Sequence, residues 1–169
     1  ALGALLPDVG TPPTRVVEDR IRFPEHARAG AHITDEIGRR LNVPAQVNRI
    51  VSLAPNLTEI VFALQEGNHL VGDTDFCDYP VEAAQKPHVG GPVNPNLEQI
   101  VKLQPDLILA TSINRRETVA ALDRLGLPVY VADPHSMEEM IASVERIGSV
   151  MGAEKIAAGL AGDLRARLA

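Results

Sequence analysis

Two carboxylates one residue apart, Asp73 and Asp75, follow a short apolar run, with Phe76 and Cys77 directly after them. At the end of a buried strand such a pair suits phosphoryl transfer. The first carboxylate attacks phosphorus, the second carries the proton, and Mg2+ neutralises the phosphate. Here the apolar run is short, a cysteine follows the pair, and no later pair of aspartates appears. Turn-forming carboxylates are therefore the better reading, and a phosphatase-like enzyme using Asp73 and Asp75 is kept as the alternative. Nothing basic beside Cys77 would stabilise a thiolate, so it reads as a small, partly buried filler. The five histidines, His26, His32, His69, His88 and His135, are scattered. Only His135, placed just after a strand end, falls where a ligand would sit. No glycine-rich phosphate loop, His-Glu-x-x-His, Cys-x-x-Cys or Gly-x-Ser-x-Gly motif occurs, so no catalytic residue and no metal site is assigned.

Composition narrows the remaining choices. The 169 residues suffice for one domain with a sizeable core, and the 16 Lys+Arg against 22 Asp+Glu give a net charge of -6. An acidic chain lacks the basic face that phosphate backbones require, which argues against nucleic acid as a partner. The single cysteine excludes an internal disulfide framework and a multi-cysteine metal cage. No apolar run approaches the roughly 20 residues that a membrane-spanning helix needs. Aromatic rings are scarce, with two Tyr, three Phe and no Trp, so the position of each one matters.

The elements that would position these residues alternate. Residues 1–31 carry Pro7, Pro12, Pro13 and Pro24 and no sustained period, and read as a leader or linker with an extended stretch at Arg15 to Phe23. The apolar start Ala1 to Leu6 lacks the basic flank of a signal peptide and reads better as a mature amino terminus. Ile33, Ile37, Leu41 and Val43 around Asp35-Glu36-Ile37-Gly38 predict a β-hairpin closed by a glycine turn. Strands are predicted at Arg49 to Leu53, Leu70 to Asp73, Pro87 to Val89, Leu107 to Ala110 and Val129 to Ala132. Helices are predicted at Leu57 to Leu64, Val81 to Gln85, Leu97 to Leu103, Arg115 to Leu125 and Met137 to Met151. This alternation predicts an α/β fold, a Rossmann-like parallel sheet flanked by helices. Asn56 and Ser136 are the predicted helix caps, and Gly126 and Gly152 the predicted stops. Ile156, Leu160, Leu164 and Leu168 form an apolar stripe on a last helix, which could pack on this domain or on a second copy as a homodimer.

In such a sheet the ligand crevice lies beyond the carboxyl ends of the strands. The loops brought there are Ala54-Pro55-Asn56, Thr74 to Tyr79, Gly90 to Asn94, Thr111 to Asn114 and Asp133-Pro134-His135. They offer shape and hydrogen bonds with little catalytic power.

In combination, Ile33-Thr34-Asp35-Glu36-Ile37-Gly38-Arg39, Arg49 to Glu59, Asp78-Tyr79-Pro80, Val89-Gly90-Gly91, Asn96-Leu97-Glu98 and Lys102 to Ile108 resemble a known family. It comprises the helical-backbone (class III) substrate-binding proteins of bacterial ABC importers for vitamin B12, haem and ferric siderophores. Asp75-Phe76-Cys77-Asp78-Tyr79-Pro80 looks closest to the cobalamin branch. The resemblance implies an amino-terminal lobe over 32–152 and the start of an interlobe helix over 153–169, with the second lobe absent. It implies a periplasmic or extracellular protein, lipid-anchored in some precursors, that is not an enzyme and holds no cofactor of its own. The expected cargo is cobalamin or another metal chelate, and the expected partners are the permease subunits. Carried over position by position, it puts Pro55, Asn56, Phe76, Pro92, Val93, Ser112, Ile113 and Asn114 on the ligand face and Glu98 at the permease. Pro92 stands where the cobalamin branch carries a large aromatic. Tyr79 is expected to brace its turn.

Overall fold

The computed structural model describes residues 30–169, so the Arg15 to Phe23 stretch and the apolar start lie outside the described residues. A hairpin comes first. Strands β1 (Ala31–Thr34) and β2 (Arg40–Val43) pair antiparallel from Ala31↔Val43 to Thr34↔Arg40. Asp35 N–H donates to the Arg39 carbonyl at 2.9 Å, and Gly38 takes the φ of +84° that closes the turn. The predicted hairpin is present.

Four strands make the main sheet: β3 (Ile50–Ser52), β4 (Leu70–Gly72), β5 (Leu107–Thr111) and β6 (Val129–Ala132). All run parallel in the order β4-β3-β5-β6. Every residue of β5 and β6 is buried, as expected of strands covered on both faces. Alternation sorts their side chains. Ile50, Leu107, Leu109 and Tyr130 join one apolar layer, and Val51, Ile108, Ala110, Val129 and Val131 join the other.

Helices α1 (Pro55–Ala63), α2 (Leu97–Lys102), α3 (Arg116–Arg124), α4 (Met137–Met151) and α5 (Glu154–Leu168) complete the fold. Ser136 caps α4 as expected, its hydroxyl accepting from Glu139 N–H at 3.1 Å. Gly126 and Gly152 stop α3 and α4 with φ of +76° and +80°. Asn56 is not a cap. The helix starts earlier, with Ala54 at the cap position and Pro55 in the first turn, because proline has no N–H to leave unpaired there and its φ already suits a helix. The helix expected over Val81 to Gln85 shrinks to a short 3₁₀ turn at Ala83–Gln85. The strand expected at Pro87 to Val89 reduces to one bridge, Asp73↔His88, at the β4 edge. Pro87 contributes a carbonyl to that edge but has no N–H to extend a ladder.

The apolar stripe of α5 is used within the molecule. Ile156 and Leu160 pack against the core, Ala157 and Ala161 are buried, and Leu168 is exposed. A Cβ built at Gly148 of α4 would collide with Ala157, so the two helices approach as closely as a glycine permits. Arg165 then reaches Glu138 at 2.8 Å and Glu145 at 3.0 Å on α4. A homodimer through this stripe is not supported, because Ile156 and Leu160 at its centre already pack, partly buried, against their own domain.

Candidate ligand-binding face

Backbone bonds set the carboxyl edge of the sheet before any ligand side chain is considered. Asp73 makes two backbone hydrogen bonds across the edge, its N–H donating to Pro87 O at 3.0 Å and its carbonyl accepting from Val89 N–H at 2.7 Å. Asp75 N–H then donates to the Gly90 carbonyl at 3.1 Å. The loop after β4 and the loop over 90–94 therefore lie side by side. The Phe76 ring lies beside Gly91, where even a methyl group would come within 3.7 Å of it.

Asn114 ties in the remaining loops. Its amide nitrogen donates to Leu53 O at 3.1 Å and Pro92 O at 2.6 Å, while its amide oxygen accepts from Thr111 N–H at 2.7 Å. The side chain is buried and fully hydrogen-bonded, which is the arrangement that makes a buried amide stabilising. Asn114 thus lies beneath the face and braces it. Cys77 is buried too, its sulfur 3.2 Å from the hydroxyls of Thr58 and Thr74, which fixes the base of the Phe76 loop.

On this scaffold the large apolar side chains at the edge face outward. Phe76 is 64% exposed, Tyr79 68%, Ile113 64% and Val93 42%. Burying apolar groups of this size away from water is worth roughly 1.5–3 kcal/mol each, so their exposure on braced loops invites a ligand. Tyr79 does not brace its turn as expected, because its ring is among the exposed ones. Of the other residues placed here from sequence, Asn56 and Ser112 are exposed, and Pro55 and Pro92 are half-buried. His135 lies exposed at the end of β6, its Nε2 3.1 Å from Asp133 Oδ2. Glu98 sits in the first turn of α2, 79% exposed at its side chain and 3.1 Å from Lys102.

The carboxylate pair does not form a catalytic centre. Asp73 is wholly buried, with Oδ1 2.7 Å from His88 Nδ1, while Asp75 is exposed. Burial raises the Asp73 pKa to about 6, partly offset by the hydrogen bond and charge of His88. A nucleophile must reach its substrate, and this carboxylate does not reach the surface. The phosphatase-like alternative is therefore not supported. Among the described residues, no group of three His, Cys, Asp or Glu side chains is placed to hold a metal ion.

Glu36 was read from sequence only as a hairpin-turn residue. Its carboxylate accepts from the Ser143 hydroxyl at 2.6 and 2.7 Å, from Asp133 N–H at 2.8 Å and from the Tyr130 hydroxyl at 3.3 Å. Burial, and then the negative Glu36 beside it, push the Tyr130 phenol well above its usual range. Through this cluster the hairpin holds the start of the β6 loop. The conspicuous signal was an acidic pair in a turn, but nothing local linked it to Ser143.

A parallel four-stranded sheet flanked by helices, with apolar side chains exposed at its carboxyl edge, defines a domain of the α/β class. The chain belongs to the periplasmic binding protein family, whose model matches residues 50–169. It is 32% identical over 126 residues to the vitamin B12-binding protein of Vibrio cholerae, covering 74% of this chain and 46% of that protein. The match to the vitamin B12-binding protein of Yersinia pestis is 34% over 109 residues, covering 63% and 39%. Among solved structures, the periplasmic vitamin B12-binding protein BtuF of Vibrio cholerae superposes with a TM-score of 0.68 at 32% identity, covering 72% of this chain and 48% of that one. A periplasmic haem-binding protein from Pseudomonas aeruginosa gives the same TM-score at 26% identity, covering 72% and 44%. The chain spans less than half the length of these curated relatives.

Proposed function

We propose that this chain is the amino-terminal lobe of an extracytoplasmic solute-binding protein that captures a corrinoid, or another metal chelate such as haem or a ferric siderophore, and delivers it to an ABC importer. The observation that carries this reading is the set of exposed apolar side chains, Phe76, Tyr79, Val93 and Ile113, on loops held by backbone bonds and by buried Asn114. A broad, flat ligand would bury these side chains together. A preformed face avoids the entropic cost of ordering loops on binding.

Residues 32–152 would form the lobe and 153–169 the start of the helix leading to a second lobe, whose facing side would supply the opposing contacts and exclude water. The metal would arrive inside its own chelate, so the lobe needs no metal ligands and no resident cofactor, and it carries out no reaction. Glu98, exposed in the first turn of α2, suits a cationic site on a permease subunit, where it would add orientation and association rate more than affinity. Similarity to a periplasmic vitamin B12-binding protein supports a periplasmic location, with a lipid anchor on the precursor as one way to hold it there.

Calorimetric titration of a version extended through the second lobe tests the proposal, with cyanocobalamin, haemin and a ferric siderophore as probes. Saturable binding of one of them is expected. Binding of none would sink the receptor reading.

A further inference from the structure

We infer that Asp73 and His88 form a proton-tightened clasp between the loop that carries Phe76 and the loop that carries Val93, making them positioning residues for the exposed apolar face. Two backbone bonds flank the pair, Val89 N–H to Asp73 O at 2.7 Å and Asp75 N–H to Gly90 O at 3.1 Å. The side chains close the same junction, with His88 Nδ1 2.7 Å from Asp73 Oδ1. Asp73 is wholly buried, and its second oxygen, Oδ2, has no hydrogen-bond partner among the described residues. An ionised carboxylate with one oxygen unpaired in a dry site is a costly arrangement, and adding a proton removes the charge.

The charged groups that act on Asp73 lie in its own loop and in the segment leading from the Ala83–Gln85 turn into the second loop. His88 touches it, Lys86 adds a second positive charge, and Asp75 adds a negative one that favours the protonated form. Desolvation outweighs both cations, leaving the pKa at about 6 against 3.8 for a solvated aspartate. A group whose pKa is raised in the closed state takes up its proton on closing. The clasp is therefore strongest in acid and loosens as pH rises through about 6. The buried nucleophile-like carboxylate thus acquires a role in holding a surface. Its consequence for affinity rests on the receptor reading above, whereas the clasp itself does not.

Amide hydrogen exchange on this chain tests the clasp without any ligand. With rates corrected for the intrinsic effect of pH, protection at Asp75 and Val89 should rise about tenfold from pH 7 to pH 5, the change that linkage gives for this pKa pair. Asp73→Asn should abolish that rise while keeping the side-chain shape. His88→Gln, which removes the positive partner, should move its midpoint to higher pH. Flat protection in the unaltered chain overturns the clasp, as does the same rise in Asp73→Asn. A midpoint unmoved in His88→Gln overturns the pairing. A clasp that passes these tests in a protein that takes up neither cyanocobalamin nor haemin would leave the inference standing and the receptor reading fallen.

Discussion

Two carboxylates near the carboxyl edge of this sheet, the enclosed side chain of Glu36 and the wholly buried Asp73, have sharply different surroundings. Glu36, at the hairpin turn, accepts from a serine hydroxyl, a tyrosine hydroxyl and a backbone N–H, with Arg146 at 3.7 Å. Asp73, at the opposite edge strand, has one imidazole on one oxygen and nothing on the other among the described residues. A buried charge surrounded by donors locks its neighbours, whereas one with a single donor stays sensitive to protons. The same residue chemistry thus gives a fixed joint on one side of the face and an adjustable one on the other.

Truncating Glu36 should give the largest effect. Glu36→Ala strands the Ser143 and Tyr130 hydroxyls and the Asp133 N–H together, and is expected to cost about 3 kcal/mol in urea unfolding. A loss below about 1 kcal/mol would erase the contrast with Asp73. Next comes the pH dependence of the whole domain. Asp73, raised in the fold from 3.8 to about 6, contributes stability that is fully present below about pH 4 and lost as pH rises through about 6, roughly 2–3 kcal/mol in all. Urea midpoints of the unaltered chain and Asp73→Asn should therefore converge at pH 4 and separate at pH 8, the variant being the more stable there.

Asn114→Ala sharpens the comparison from the neutral side. It removes a buried amide that is paired on both its nitrogen and its oxygen, and should cost about 2 kcal/mol with no pH dependence of its own. Phe76→Ala should change stability by less than about 0.5 kcal/mol, because the ring is 64% exposed. In a version extended through the second lobe it should weaken binding of the cognate chelate about tenfold or more by calorimetry. A large stability loss would turn Phe76 from a contact into a core residue.

The parallel sheet was legible because β5 and β6 are short, largely apolar runs followed by turn residues, and buried parallel strands need no more signal than that. Ser136, Gly126 and Gly152 were legible for the same reason, since a cap or a stop depends on residues within one helical turn. Asn56 misled because asparagine before a Leu-Thr-Glu run is a sound capping signal, yet Pro55 starts the helix one residue ahead of it. Pro87 to Val89 misled because a short run ending in Val89 and bounded by Gly90-Gly91 resembles a strand, although a proline at that edge cannot sustain a ladder.

The site divides in the same way. Position after a strand end is enough to bring Phe76 and Ile113 to one edge, whereas Val93 is held beside them by the bridge at His88 and the Asn114 bond to Pro92 O. Which polar residues lie under the face and which lie on it could not. Asn114 bonds to residues 61 and 22 positions away in sequence, and Glu36 to one 107 positions away. No local pattern encodes partners so remote. Asp73 drew attention for the wrong chemistry, since only its depth in the fold separates a nucleophile from a clasp.

The contact between Gly148 and Ala157 also has a mechanical reading. Measured from the break at Gly152, Ala157 lies about 7 Å along α5 and Leu168 about 24 Å, at a rise of about 1.5 Å per residue. The helix is therefore a lever with its fulcrum at Gly152 and its rest on the bare backbone at 148. Any displacement at that rest is magnified about threefold at the far end. The missing methyl at one position of α4 thus sets the direction in which the last helix points.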